Sequence, residues 1–305
     1  PLREKQKAWL EKNLDIAKIQ DSVQSALQTH VWPALDKEEL QAFPEEEIRV
    51  ATYLAVSTAL LGPEAELTET DLKKLMVATR EYSEMRVKGK LKGKKQPGEA
   101  GVPPGALELR EVVEAAIARS GRDDIVLPLM VAASVGGAEI FPTLLHWMLL
   151  YFASHPEAQA SATSAAQKDD TAVLLREIYR ALRSSTYSIA LGPPRKVLAD
   201  STVDDMLIPE GALLFALHPG VVDTALGRKV PQEEDFSEYA FGVGPRSCLG
   251  KPLAEAIFPA VVGAILKRYE LSFEGVGSTD VQGEVKGQLI RPKDAPKLRW
   301  MRRVS

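Results

Sequence analysis

The longest apolar stretch of the chain, Asp123 to Phe152, sets the class of fold. Its length alone would allow it to cross a membrane. It nevertheless holds Glu139, Pro142, His146 and the adjacent Gly136–Gly137, each of which would need a protein partner inside a bilayer. The stretch therefore reads as a long helix buried through a large domain. The glycine pair removes side chains from its middle, where something bulky can approach closely.

The 305 residues suffice for one large domain or two small ones. Hydrophobic residues at 45% and charged residues at 26% are ordinary for a globular chain. A net charge of −4 gives no reason to expect nucleic acid. One cysteine excludes an internal disulfide framework and is compatible with a reducing compartment. The chain begins at Pro1 with no signal-peptide pattern, and reads as a processed or truncated product.

Helical spacing flanks the long stretch on both sides. From Leu2 to Leu35, the residues Trp9, Leu14, Ile16, Ile19, Val23 and Leu27 recur at roughly helical intervals, with Pro33 and Pro44 as punctuation. Pro44 and the acids Glu45 to Glu47 start a helix that is apolar on most faces and stops at Gly62–Pro63. Thr68 to about Val87 is another, with a cap at Thr68–Asp71, and Ala106 to Arg119 is a further one. A polar interval, Gln159 to Asp170, precedes a helix from Ala172 to Arg183. Ile189 to Phe215 breaks into short apolar pieces around Gly192–Pro193–Pro194 and Pro209–Glu210–Gly211, and reads as strands and hairpins. Leu253 to Leu266 is the last apolar helix, and Val281 to Ile290 reads as one strand-like piece. Two basic clusters stand out. Arg86 to Lys95 opens a flexible loop that continues to Gly105, for which contact with a membrane surface or an acidic partner is the sharper alternative. Arg291, Lys293, Lys297, Arg299, Arg302 and Arg303 form the other.

The only cysteine, Cys248, lies on a loop shaped by Gly242, Gly244, Pro245 and Gly250, directly before the last apolar helix. Backbone N–H groups and the helix dipole at such a place favour an anionic sulfur. A lone cysteine is usually a small buried hydrophobe. Packing alone, however, requires neither the close glycines nor Arg246 two residues away. A nucleophilic cysteine would normally need a histidine base, and His30, His146, His155 and His218 lie in no cysteine-protease context. That leaves a metal ligand.

Phe241, Gly244, Arg246, Cys248 and Gly250 complete the spacing Phe-x-x-Gly-x-Arg-x-Cys-x-Gly. The loop resembles the haem-binding loop of the cytochrome P-450 family. The resemblance implies a mainly α, P-450-like helical fold with a small β component, lacking the N-terminal sheet region. It implies a single haem-thiolate domain over residues 1–305, matched most fully from about Asp123 to Gly275, with haem b as cofactor and Cys248 as the proximal iron ligand. Glu177 and Arg180, at i and i+3 on one helix face, resemble the family's Glu-x-x-Arg pair, which supports the haem side of the fold. Pro194–Arg195 and Ile208–Pro209–Glu210–Gly211 resemble the pieces that follow it, which makes Arg195 and Arg246 candidates for pairing with haem propionates.

The long helix resembles the family's central helix, and His155-Pro156-Glu157-Ala158-Gln159 sets its register. Gly136, Gly137, Glu139 and Ile140 would then line the distal pocket. Ile140 occupies the position where the family carries threonine, and it cannot relay a proton. Gly136 to Leu145 resembles the central helix of allene oxide synthases and hydroperoxide lyases, members that rearrange fatty-acid hydroperoxides without dioxygen, reductase or proton relay. Ala133 stands where those enzymes carry asparagine, and their insertion in the cysteine loop is absent. A Trp/His-x-x-x-Arg haem contact is missing between Pro1 and Leu35, so the chain is expected to start near the family's third helix. The Pro-x-Arg-Phe segment is missing between Pro219 and Tyr239.

The function expected from these features is rearrangement or cleavage of an organic (lipid) hydroperoxide without external reductant. One alternative is a conventional monooxygenase that uses dioxygen and a reductase partner on a hydrophobic substrate. The other is a catalytically inactive structural subunit of a larger assembly, docked through the basic clusters.

Overall fold

The computed structural model describes residues 2–62, 65, 67–68, 70–79, 104–122, 126–138, 140–184, 195–214, 241–242, 247–273, 281, 283–286 and 289–303. The basic run Arg86 to Lys95 lies outside them.

The leading helical pattern is three helices. α1 (Leu2–Asn13) buries Gln6, Trp9 and Leu10. Asp15 then caps α2 (Ile16–Ala26), its Oδ1 accepting from the Lys18 amide at 3.2 Å. The cap holds Asp15 extended and so interrupts the run. Leu27–Val31 widens into a π turn, where the Trp32 amide donates to the Leu27 carbonyl. Pro33, with no amide hydrogen to place, sits in the first turn of α3 (Trp32–Leu35). A short strand follows, β1 (Leu40–Gln41).

α4 (Glu45–Leu61) starts with the three acids and ends at Gly62, whose φ of 85° suits a residue without Cβ. α5 (70–79) begins at a reciprocal cap. The Asp71 amide donates to Thr68 Oγ1 at 3.1 Å, and the Thr68 amide donates to Asp71 Oδ2 at 3.0 Å. α6 (Pro104–Ser120) stops before Gly121.

The long apolar stretch is two helices joined by a π segment at the glycine pair. α7 (Val126–Ala133) leads into Ser134–Ala138, and α8 (Ile140–Ser154) follows. Glycines leave room for the wider turn, and such turns are frequent at functional sites. Among the described residues, no helix is long and apolar enough to cross a membrane. The polar interval expected after it is largely helix, α9 (Pro156–Gln167). Its alanines supply propensity and bury a small-residue face through Ala158, Ala162, Ala165 and Ala166. Gln159 is buried as well. Its Nε2 donates to the carbonyls of Phe152 and Leu271 at 3.0 and 2.9 Å, and its Oε1 accepts from the Leu271 amide at 2.7 Å. α10 (Thr171–Ser184) closes this helical part.

β2 (Arg195–Lys196) pairs with β5 (Leu213–Leu214), and β3 (Ser201–Val203) pairs with β4 (Met206–Ile208), all antiparallel. The β3–β4 hairpin turns on Asp204 and Asp205, both at positive φ. α11 (Lys251–Arg268) packs against α2, α9 and α10, and Phe258 on it stacks with Phe141 of α8 at 4.7 Å. β6 (Tyr269–Phe273) leaves α11 directly. The expected single strand from Val281 to Ile290 is a hairpin, β7 (Gly283–Lys286) against β8 (Leu289–Pro292), with Val285 opposite Ile290. Folding back lets each half satisfy the other's backbone groups. β9 (Leu298–Arg302) lies between β1 and β6. The C-terminal basic cluster is partly neutralised by ion pairs with other elements. Arg291 pairs with Glu45 at 2.7 Å, Arg299 with Glu39 at 2.8 Å and Arg303 with Glu270 at 3.5 Å.

Candidate functional site

Three elements carry the residues singled out by sequence: the cysteine loop, α10, and the junction of α7 and α8. In the loop, the Cys248 amide donates to the Phe241 carbonyl at 2.6 Å. Gly242 takes a φ of 70°, which a glycine adopts freely. The bond ties Cys248 to Phe241, and the Cys248 thiol is exposed and in no disulfide. Gly250 caps α11, where its carbonyl accepts from the Ala254 amide at 2.8 Å. A Cβ at Gly250 would stand 3.7 Å from Cys248 Sγ, an ordinary contact, so this glycine leaves one flank of the sulfur open. Gly244 and Arg246 lie outside the described residues.

On α10, Glu177 is only 3% exposed, and a carboxylate so buried needs partners. Arg180 Nη1 donates to its Oε2 at 3.1 Å, and Ser161 Oγ on α9 donates to Oε1 at 2.9 Å. The pair is therefore asymmetric, with a buried acid and a half-exposed base. At the α7–α8 junction, Gly136 and Gly137 both fall in the π segment. A Cβ at Gly137 would meet nothing within 4 Å, so open space lies beside it. Ile140 opens α8 and is partly buried, while Glu139 lies outside the described residues. Arg195 is placed in β2, but its side chain is outside the description.

Two contacts at the loop were not legible beforehand. Arg3 on α1 donates from Nη2 to the Ser247 carbonyl, which brings the start of the chain to the residue before Cys248. Nothing in a charged helix marks one arginine for that role. Tyr179, inside the Glu-x-x-Arg segment, donates to Glu255 Oε1 on α11 at 2.6 Å and meets the Phe241 ring edge-on. Burial and then Glu255 push its hydroxyl far above the usual tyrosine range.

Residues 226–299 match the family model for Cytochrome P450, a span that takes in the cysteine loop, α11 and the C-terminal strands. Over this span the chain is similar to the cytochrome P450 family. Cytochrome P450 2D16 of Cavia porcellus is 26% identical over 187 residues, 50% of this chain and 36% of the relative. Steroid 17-alpha-hydroxylase/17,20 lyase of Squalus acanthias is 27% identical over 206 residues, 57% of this chain and 40% of the relative. The chain thus spans well under two thirds of the curated relatives it matches. A zebra fish cytochrome P450 solved with progesterone shares the fold with a TM-score of 0.67 at 17% identity, over 98% of this chain and 81% of that one.

Similarity to the P450 family implies haem, and the donor set fits it. Among the described residues, no group of three or more His, Cys, Asp or Glu could hold a metal ion. A bare ion bound by protein takes three or four ligands. One exposed sulfur on a helix-capping loop would suit the iron of a haem, which needs few ligands from the protein.

Proposed function

We propose that this chain is a haem-thiolate protein, one unit over residues 1–305, that oxygenates a hydrophobic small molecule with electrons from a reductase partner. The observation that carries the proposal is the Cys248 loop, a lone exposed thiol held by its own backbone hydrogen bond at the start of α11. The Squalus acanthias relative, named a steroid hydroxylase and lyase, supports a hydrophobic substrate class.

Haem bound at this site would supply the oxygen chemistry. The chain's own part is holding and shaping. Cys248 Sγ would hold the iron, and Arg246 and Arg195 would pair with the propionates. The open space at Gly137 would admit substrate, with Gly136, Glu139 and Ile140 along its edge. Ile140 holds no proton, so a proton needed there would have to come from Glu139 or from water.

Ile140 favours a second reading, rearrangement or cleavage of an organic hydroperoxide. The substrate then carries its own oxygen, and no relay is required. The absorption spectrum of the reduced, carbon-monoxide-bound protein is the first test. A red-shifted Soret band that disappears in Cys248→Ala is expected. A protein that takes up no haem fails both readings and points to a structural subunit. Oxidation that needs NADPH and a reductase supports the first reading, whereas fast turnover of a lipid hydroperoxide without reductant supports the second.

A further inference from the structure

Tyr179 lies two residues beyond Glu177, so at 100° per residue it leaves α10 on the far side of the helix from that carboxylate. Glu177 turns to Ser161 on α9, whereas Tyr179 turns to α11. Its hydroxyl donates to Glu255 Oε1 at 2.6 Å, and Glu255 is steadied from the preceding turn by Lys251 Nζ at 3.8 Å. The tyrosine ring, 9% exposed, presents its face or edge to Phe241, with centroids 6.3 Å apart and planes at 86°. The Phe241 carbonyl in turn accepts the Cys248 amide at 2.6 Å. A connected path therefore runs from Glu255 through Tyr179 and Phe241 to the backbone of Cys248.

Apolar packing alone would hold α10 against α11. A buried tyrosine with its hydroxyl held on a carboxylate has the far end of its ring pinned in place. The edge-to-plane arrangement with Phe241 depends on where that ring sits.

We propose that Tyr179 and Glu255 are positioning residues for the cysteine loop: their hydrogen bond fixes the tyrosine ring as the wall for Phe241, and so fixes the carbonyl on which Cys248 is hung. The purpose of this device, holding the sulfur for iron, rests on the haem-thiolate reading.

The test uses the full chain with Tyr179→Phe, Glu255→Ala and Glu255→Gln. Hydrogen exchange of the Cys248 amide is measured, with α4 as the reference. Tyr179→Phe and Glu255→Ala are expected to speed exchange at Cys248 about tenfold, the scale of one hydrogen bond, without changing α4. Glu255→Gln still offers an accepting oxygen and is expected to keep most of the protection. In the haem-loaded protein, the first two variants are expected to move part of the reduced, carbon-monoxide-bound population away from the red-shifted band. Unchanged exchange at Cys248 in Tyr179→Phe and Glu255→Ala overturns the proposal. An equal rise in α4 also overturns it, since that marks a merely weakened fold. If the unsubstituted protein shows no red-shifted band, the haem-thiolate reading fails, and the exchange data still decide whether the loop is positioned this way.

Discussion

His146 departs far from its ordinary chemistry. Its ring stacks on Phe43 at 4.4 Å and 11°, in a cleft lined also by Glu45, Pro142, Thr143 and Arg291. Burial pushes the imidazole down to about 4, and Glu45 opposes this only weakly. That carboxylate is already paired with Arg291 at 2.7 Å. His146 therefore stays neutral in the folded protein, while the unfolded chain takes up its proton below about 6.5. The group's contribution to stability is complete above that pH and declines as the pH falls towards about 4. The decline is at most about 3 kcal/mol, and less to the extent that the ring edge meets solvent. His146→Phe keeps the stack and removes the titration. Urea unfolding at pH 7 and pH 4.5 is expected to show a smaller acid loss for the variant, and equal losses would contradict the assignment.

At the scale of elements, the π segment between α7 and α8 separates two effects of one substitution. Gly137 has no positive φ and open space where its Cβ would be. Gly137→Ala is expected to leave stability unchanged or raise it by up to about 1 kcal/mol, as alanine does within helices. The same methyl enters the space assigned to substrate. Titration of a hydrophobic ligand against the haem-loaded variant is expected to show weaker binding with a melting temperature equal to or above the parent's. A clear drop in melting temperature would mean that the space is filled. Capped and glycine-terminated helices such as α4, α5 and α6 were legible in sequence because their boundaries are local chemistry. α9 was not, because its packing face is alanine and its key polar residue, Gln159, is satisfied by β6, a strand more than a hundred residues away.

At the scale of the molecule, a clasp joins the first part of the chain to its end. Arg268 Nη2 donates to Asp36 Oδ2 at 2.5 Å, and the Tyr269 hydroxyl donates to Asp36 Oδ1 at 2.6 Å. The Arg268 guanidinium lies 5.2 Å from the centre of the Trp32 ring. Burial alone would raise the Asp36 carboxyl. The hydrogen bonds from Tyr269 and Arg268 outweigh burial and hold it below its ordinary value of 3.8. Its contribution is therefore present above that value and lost as the pH falls through the lowered one. Asp36→Asn is expected to cost about 1 kcal/mol, modest because the site is partly exposed. Denaturant unfolding at pH 7 measures the loss, and the difference from the parent protein should shrink as the pH falls below 3.8 and through the lowered value.

Cys248 with its spaced glycines, the Glu177–Arg180 offset, and the proline and glycine stops of the helices could be read from the chain directly. Each depends on neighbours a few residues away, and short-range sterics and hydrogen bonding act at that range. The Asp15 cap and the β7–β8 hairpin are local, but helical and strand periodicity alone did not mark them. The arrival of Arg3 at Ser247 and the Tyr179–Glu255 bond were decided only when distant segments packed. No periodicity encodes these, because a buried polar group accepts whichever partner the fold delivers. Tertiary packing also withdrew Arg291, Arg299 and Arg303 from the basic surface, by setting each beside a glutamate on another element.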